Sequence, residues 1–367
     1  MHTIERPIVF SEESSLPEGT TKRDILSNAL EELFFIEHPS LGKSDPSSKE
    51  AAARFVAQRS PDGLWMYYPW ARIAIRMPPE DLYFRLRTAR NRDLITESEQ
   101  AAFRDSIVGV AGLSVGSSAV AALVASGGPR LLKIADHDTI DVSNLNRIRA
   151  TLLDVGENKT DVAARAAWEL DPFLDIDLWR HGISQETLDT FVGAPRLDVF
   201  IDEMDAIALK IAARISCKRR RIPVVMATDN GDGAIVDIER YDLEPERPIF
   251  NGRLGIPEEN IPTIAPRDFL SYAIKIMDPS YFTRRQQQSI LKLGKTLSGV
   301  AQLSTAATIA GAAAAFVVRR IVNKQDMPSG RYVIGCEQAL IPGYNEPQQQ
   351  SKRRDETIQF NVLLGLS

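Results

Sequence analysis

The sequence predicts an α/β protein: a mostly parallel β-sheet with helices on both faces, preceded by an N-terminal extension and followed by an irregular crossover segment. Two observations predict it. From Ser106 onward, short apolar runs alternate with helical patterns through tight turns, the βαβ rhythm of a parallel sheet. The composition of the 367 residues, 44% hydrophobic and 25% charged, is that of a globular chain long enough to bury a sizeable core, which excludes disorder and a fibrous fold.

The elements follow in order. Ile25, Leu26, Ala29, Leu30, Leu33 and Phe34 fall at helical spacing, and Pro39 to Ser48 reads as a loop. The aromatic run Trp65, Tyr67, Tyr68, Trp70 leads into the alternating Arg72 to Arg76, a strand or hairpin closed by Pro78 and Pro79. An arginine-rich segment covers Arg85 to Arg92, and Thr96-Glu97-Ser98-Glu99 forms a capping box before a short helix. Strands are predicted over 107–111, 131–135, 176–179, 199–201 and 223–227, with helices over 117–126, 159–170 and 206–221. Beyond Ile238 the alternation stops, and Pro245, Pro248, Pro257, Pro262 and Pro266 mark a crossing segment. Residues 341–357 are polar and read as an exposed loop. Five regions result: an extension (1–60), lead-in strands with an arginine-rich helix (61–105), the α/β core (106–245), the crossover (246–298), and a C-terminal helix and tail (299–367).

Several function classes drop out early. A net charge of −5 does not suit a protein that grips nucleic acid by its phosphates. The N-terminus has no apolar run of signal-peptide type, so a cytoplasmic setting is expected. Gly299 to Val318 reaches the length of a membrane span, but Gln302, Ser304, Thr305 and Thr308 interrupt it, which favours a closely packed core helix and no membrane association. Two cysteines, Cys217 and Cys336, supply neither a disulfide framework nor a four-cysteine zinc site.

The chemistry gathers at strand ends. Gly112-Leu113-Ser114-Val115-Gly116-Ser117 follows a strand and opens a helix, where a glycine turn offers backbone N–H groups and a positive helix end to phosphate. A packing turn would look similar. Asp136 and Asp138 end the next strand, and Asp136 follows Gly112 at roughly the 20-residue distance at which dinucleotide folds hold ribose with a carboxylate. That much fits NAD and ATP equally. Asn144-Leu145-Asn146-Arg147, then Lys159, then Asp202-Glu203-Met204-Asp205 add two cations and a carboxylate, which suit a triphosphate with magnesium and which a nicotinamide site does not need. Each residue also has a plainer role: Asp136 and Asp138 could end a strand, Arg147 could pair with Asp141 or Asp154, and Asp205 could cap a helix. Lys159 could simply be exposed, although a cation at a helix N-terminus opposes the dipole and points to an anion nearby.

In this order and spacing, the run Asp136 to Arg147, the spaced Gly156 and Lys159, and Asp202-x-x-Asp205 resemble the adenylating domain of the E1-like (ThiF/MoeB/HesA, ubiquitin-activating-type) family. The resemblance covers roughly residues 90–245 and extends to the helix 299–321. It implies a Rossmann-like fold with 106–245 as the ATP-binding adenylation domain. It further implies nucleotide contacts from Gly112, Ser114, Gly116, Asp136, Asp138 and Asn144, phosphate contacts from Arg147 and Lys159, and Mg²⁺ and pyrophosphate held by Asp205. Arg92, in Asn91-Arg92-Asp93, is similar to the arginine that reaches into the partner subunit's site, so a homodimer is implied. The implied reaction is attack of a carboxylate on the α-phosphorus of ATP, giving an acyl-adenylate and pyrophosphate. The acyl group would be a ubiquitin-like or sulfur-carrier C-terminus, a peptide or a small acid. Asn251-Gly252-Arg253 is expected to form a loop over the site.

The chain departs from that family in three places. Residues 237–300 contain no cysteine, so the usual transfer thiol and the paired zinc motifs are missing, and the adenylate would be attacked directly by the substrate's nucleophile. Cys217 beside Lys218 to Arg221 reads as a packed core thiol, and Cys336 beside Glu337 is disfavoured as a thiolate. Ala206 follows Asp205 where the family often has Asn. A NAD- or FAD-dependent oxidoreductase built on Gly112, Gly116 and Asp136, and a non-catalytic dimeric scaffold, are the alternatives.

Overall fold

A computed structural model of the chain describes residues 5–256 and 269–364. Pro257, Pro262 and Pro266 of the crossing segment lie outside the described residues. The chain divides into two compact units.

The first unit comprises residues up to 104 together with 124–128 and 165–174. Its elements are β1 (Ile8–Phe10), β2 (Thr21–Asp24), α1 (Leu26–Glu37), α2 (Pro46–Arg59), β3 (Leu64–Tyr68), β4 (Ile73–Met77), α3 (Glu80–Arg87) and α4 (Glu97–Arg104). The sheet order is β1-β3-β4-β2, with β3 and β4 the hairpin expected from the aromatic run. Leu26, Leu30 and Leu33 stack on one face of α1 and bury against Leu82 of α3. The helix α2 starts inside the stretch that reads as a loop, because Asp45 caps it by accepting the Ser48 N–H (2.9 Å). The capping box is real: Glu99 N–H donates to Thr96 Oγ1 (3.3 Å), and Thr96 N–H to Glu99 Oε2 (2.8 Å).

The second unit comprises 105–123, 129–164 and the rest of the chain from 175. It contains β5 (Ile107–Ala111), most of α5 (Gly116–Ala125), β6 (Leu131–Ala135), the first half of α6 (Lys159–Leu170), β7 (Asp175–Trp179), α7 (Gln185–Gly193), β8 (Val199–Asp202), α8 (Ile207–Arg219), β9 (Val224–Asp229), β10 (Gly233–Glu239), α9 (Phe269–Met277), α10 (Arg284–Ile290), α11 (Ser304–Val322), β11 (Gly330–Gly335), α12 (Cys336–Leu340) and α13 (Pro347–Leu363). The strands run in the order β11-β10-β9-β8-β5-β6-β7. Five are parallel, and β10 and β11 pair antiparallel. This is the expected Rossmann-like fold. Chain order reverses between β5 and β8, and such a switch point opens a crevice at the carboxyl ends of the strands.

Three elements of the second unit differ notably from the sequence expectation. The helix α7 fills a stretch given no element. The strand β10 is buried along its whole length although it carries Asp237 and Glu239; Arg331 of β11 pairs with Asp237 (2.7 Å), and Arg214 of α8 pairs with Glu239 (2.7 Å), so the charges are compensated. Residues 347–363 are helical where a loop was expected to reach 357: Pro347 opens the helix, glutamine, lysine, arginine and glutamate propagate it, and Phe360 is the one buried side chain on it, so it shows little apolar pattern.

The alanine-rich stretch becomes α11, long and apolar enough to cross a membrane. It packs on β9 and β10, burying Ala306, Ala307, Ala310 and Ala314. Its small residues serve a close approach: a Cβ on Gly311 would stand 2.5 Å from the Ser118 carbonyl carbon of α5.

Candidate functional site

The site is built at the carboxyl ends of β5, β6, β8 and β9. After β5 the chain turns sharply at Gly112, whose φ of +88° suits glycine, and a Cβ there would lie 2.3 Å from the Glu203 carbonyl oxygen. The turn is braced from β6: Asp136, 7% exposed, accepts the Leu113 N–H on Oδ2 (2.7 Å) and the Asp138 N–H on Oδ1 (2.9 Å). Each oxygen keeps a further lone pair, which suits a ribose hydroxyl.

Arg147 reaches the same turn, donating from Nε to Ser114 Oγ (3.1 Å) and from Nη1 to the Ser143 carbonyl (3.2 Å) and Asn146 Oδ1 (3.0 Å). Arg147 does not form the pairs with Asp141 or Asp154 considered above. Asn144, buried, holds the preceding turn by accepting the Asp141 N–H (3.1 Å). Lys159 begins α6 and donates to Asp138 Oδ2 (2.7 Å), with Asp136 Oδ2 at 4.0 Å. The anion that its place on a helix N-terminus implies is therefore Asp138, whose carboxyl the Lys159 hydrogen bond holds below the usual range. Gly112, Ser114, Asp136, Asp138, Arg147 and Lys159 thus come together, and Gly116 opens α5 beside them.

Two predicted residues join no bond of this cluster. Asp205 is exposed in the turn before α8 and does not cap it: the cap is Ala206, without a side-chain bond. Arg92 is exposed in the first unit. The 251–253 turn is tied to β10: Phe250 N–H donates to Glu239 Oε1 (2.6 Å), and Arg253 lies 3.6 Å from Asp237.

Sequence reasoning placed Asp202 and Glu203 in a motif but missed the buried layer that pairs with them. Asp202 is fully buried; burial alone would raise its carboxyl, yet Lys210 (3.2 Å) and Arg214 hold it below the usual range. Arg214, also fully buried, stacks over Phe250 at 3.8 Å. Glu203, half-buried, accepts the Ala227 N–H (2.8 Å), and removal from water pushes its carboxyl well up against the pull of Lys210. At the end of β9, burial pushes Asp229 up to about 6, opposed by a Gln302 hydrogen bond and by Arg147. The signal available was an aspartate closing an apolar strand, the pattern already read at Asp136 and Asp202. Cys217 is fully buried and Cys336 partly so; both are free thiols, and burial pushes Cys217 above the usual thiol range.

A mostly parallel sheet with a switch point, carrying a glycine turn, a braced aspartate and two cations on its carboxyl edge, defines an α/β protein of the Rossmann-like class. Residues 88–343 match the model of the ThiF family, and the chain belongs to that family. It is similar to the uncharacterized protein MT1398 of Mycobacterium tuberculosis (strain CDC 1551 / Oshkosh), at 37% identity over 310 residues that cover 82% of this chain and 43% of that protein. It is also similar to the tRNA threonylcarbamoyladenosine dehydratase of Bacillus subtilis (strain 168), at 30% identity over 45% of this chain and 68% of that one. A third relative is the sulfur carrier protein ThiS adenylyltransferase of Escherichia coli (strain K12), at 28% identity over 38% of this chain and 56% of that one. The chain thus spans less than half the length of its mycobacterial relative.

Proposed function

We propose that this chain is an ATP-dependent adenylate-forming enzyme. The observation that carries the reading is the convergence of Arg147 on Ser114 of the glycine turn and of Lys159 on the Asp136 and Asp138 pair, at the switch point of the sheet. Kinship with an adenylyltransferase supports it.

ATP is the substrate. The donor set fits it: among the described residues Arg147 Nη2 has no partner, so that edge of the guanidinium is open to phosphate, while Asp136 offers acceptors to ribose. A carboxylate oxygen of the acyl substrate attacks the α-phosphorus; the new O–P bond forms as the bond to pyrophosphate breaks, and pyrophosphate leaves with that electron pair. Arg147 and Lys159 orient the phosphates and spread the developing charge. Asp205 is the residue that would hold Mg²⁺, and an ion bound there would neutralise charge on the leaving pyrophosphate. No cysteine stands in 237–300, so the acyl-adenylate goes directly to a nucleophile of the substrate. The acyl group is a ubiquitin-like or sulfur-carrier C-terminus, a peptide or a small acid. A homodimer, with Arg92 completing the neighbouring site, and a cytoplasmic setting belong to the same proposal.

The test is ATP–pyrophosphate exchange in the presence of each carboxylate class, with ATP·Mg²⁺, NAD and FAD binding measured in parallel. Exchange dependent on one class, with no dinucleotide binding, is the expected result. Dinucleotide binding without ATP binding would mean an oxidoreductase; ATP binding without exchange for any class would leave a scaffold.

A further inference from the structure

A hydrogen-bonded path crosses the carboxyl edge of the sheet from β9 to the glycine turn. Asp229 Oδ2 accepts from Gln302 Nε2 (3.0 Å), and the Gln302 carbonyl accepts from Asn146 Nδ2 (2.9 Å). Asn146 Oδ1 accepts from Arg147 Nη1 (3.0 Å), and Arg147 Nε donates to Ser114 Oγ (3.1 Å). Asp229 is 8% exposed, and its other oxygen, Oδ1, is buried with no hydrogen-bond partner. A buried acceptor without a partner is costly, more so when charged, and a strand end does not need one.

We propose that Asp229 is a positioning residue for the nucleotide: through Gln302 and Asn146 it fixes where the Arg147 guanidinium stands, and its charge sets how strongly that guanidinium takes phosphate. The inference rests on the adenylation reading. Two charged groups face Asp229, Arg147 from the loop after Asn144 and Glu203 from the end of β8; Gln302, ahead of α11, is neutral.

An ionised Asp229 shares the field of Arg147 with the bound phosphates, whereas a neutral one leaves it to them. Conversely, a triphosphate on Arg147 cancels the pull that lowers Asp229 and so raises its carboxyl further above about 6. Binding then takes up a proton, so affinity is greatest at low pH and falls as pH rises through that window.

The experiment is calorimetric titration of the full chain with ATP·Mg²⁺ between about pH 5.5 and 8, on wild type, Asp229→Asn, Asp229→Leu and Gln302→Leu. Asparagine keeps the acceptor for Gln302 and removes the titration. Wild type should weaken about tenfold more than Asp229→Asn across the range, the consequence of a one-unit shift on binding. The two leucine variants break the path, and at every pH Gln302→Leu should bind more weakly than wild type and Asp229→Leu more weakly than Asp229→Asn, which matches it in charge. If one leucine variant fails to fold, the other gives this result. Coincident pH profiles for wild type and Asp229→Asn, or a Gln302→Leu that binds as wild type does together with an Asp229→Leu that binds as Asp229→Asn does, overturn the inference and leave the adenylation reading standing. A wild-type chain that does not bind ATP overturns both.

Discussion

Lys159 Nζ lies 2.7 Å from Asp138 Oδ2 and 4.0 Å from Asp136 Oδ2, although the lysine opens α6 and the aspartates follow β6. The ammonium is 9% exposed and sits where the helix dipole disfavours a cation, so the two carboxylates are what hold it there. Under the proposed function, they would keep it aligned for a phosphate.

Replacing Lys159 by alanine should therefore affect stability as well as binding. Asp136, 7% exposed, would lose its nearest cation. A cost of about 1–3 kcal/mol is expected, read as a fall in the unfolding midpoint. The Asp138 contribution has a definite sign: its folded carboxyl lies below the usual value, so its stabilisation is present above the ordinary aspartate range and is lost as pH falls through the folded value.

Gly112→Ala should damage both fold and binding. Its φ of +88° strains any L side chain, and the added Cβ meets the Glu203 carbonyl oxygen at 2.3 Å. Destabilisation of more than about 1 kcal/mol is expected in denaturant titration, together with weaker ATP binding. Unchanged stability would mean that the turn is not held as described.

Arg214→Met should be the most damaging of these changes. It would leave Asp202 and Glu239 buried, the second with no cation among the pairs described and the first with Lys210 alone. About 3–5 kcal/mol should be lost in chemical denaturation, since breaking one partner of a buried ionic network strands the others. In the intact chain this network should weaken in acid, because Asp202 is held below its usual range and stabilises only while ionised.

The thiols give a chemical check. Cys217 is fully buried with its thiol pushed up, and Cys336 is partly exposed. In the native chain a thiol reagent should label Cys336 and spare Cys217, with both labelled after unfolding. Cys336→Ser should retain pyrophosphate exchange; its loss would make that thiol a participant.

The parallel core was legible because each of β5, β6, β8 and β9 is an apolar run ended by a polar turn, and the cluster was legible because Gly112, Asp136 and Lys159 lie at strand and helix ends and Arg147 closes the polar run that follows β6. What escaped detection was compensated in three dimensions. The charges of β10 hide its burial until Arg331 and Arg214 are seen to pair with them. Asp229 drew no attention because its significance depends on Gln302, which lies 73 residues further along the chain. The helix α13 has one buried side chain, Phe360, too little to print a period on the sequence.

The central claim is that nucleotide phosphates lie against Arg147 and Lys159. Calorimetric binding of ATP·Mg²⁺ to wild type, Arg147→Ala and Lys159→Ala tests it most directly. Loss of one charge-assisted contact predicts affinity about tenfold to a hundredfold weaker in each variant, with Arg147→Ala as stable as wild type. Wild-type affinity in both variants would contradict the account.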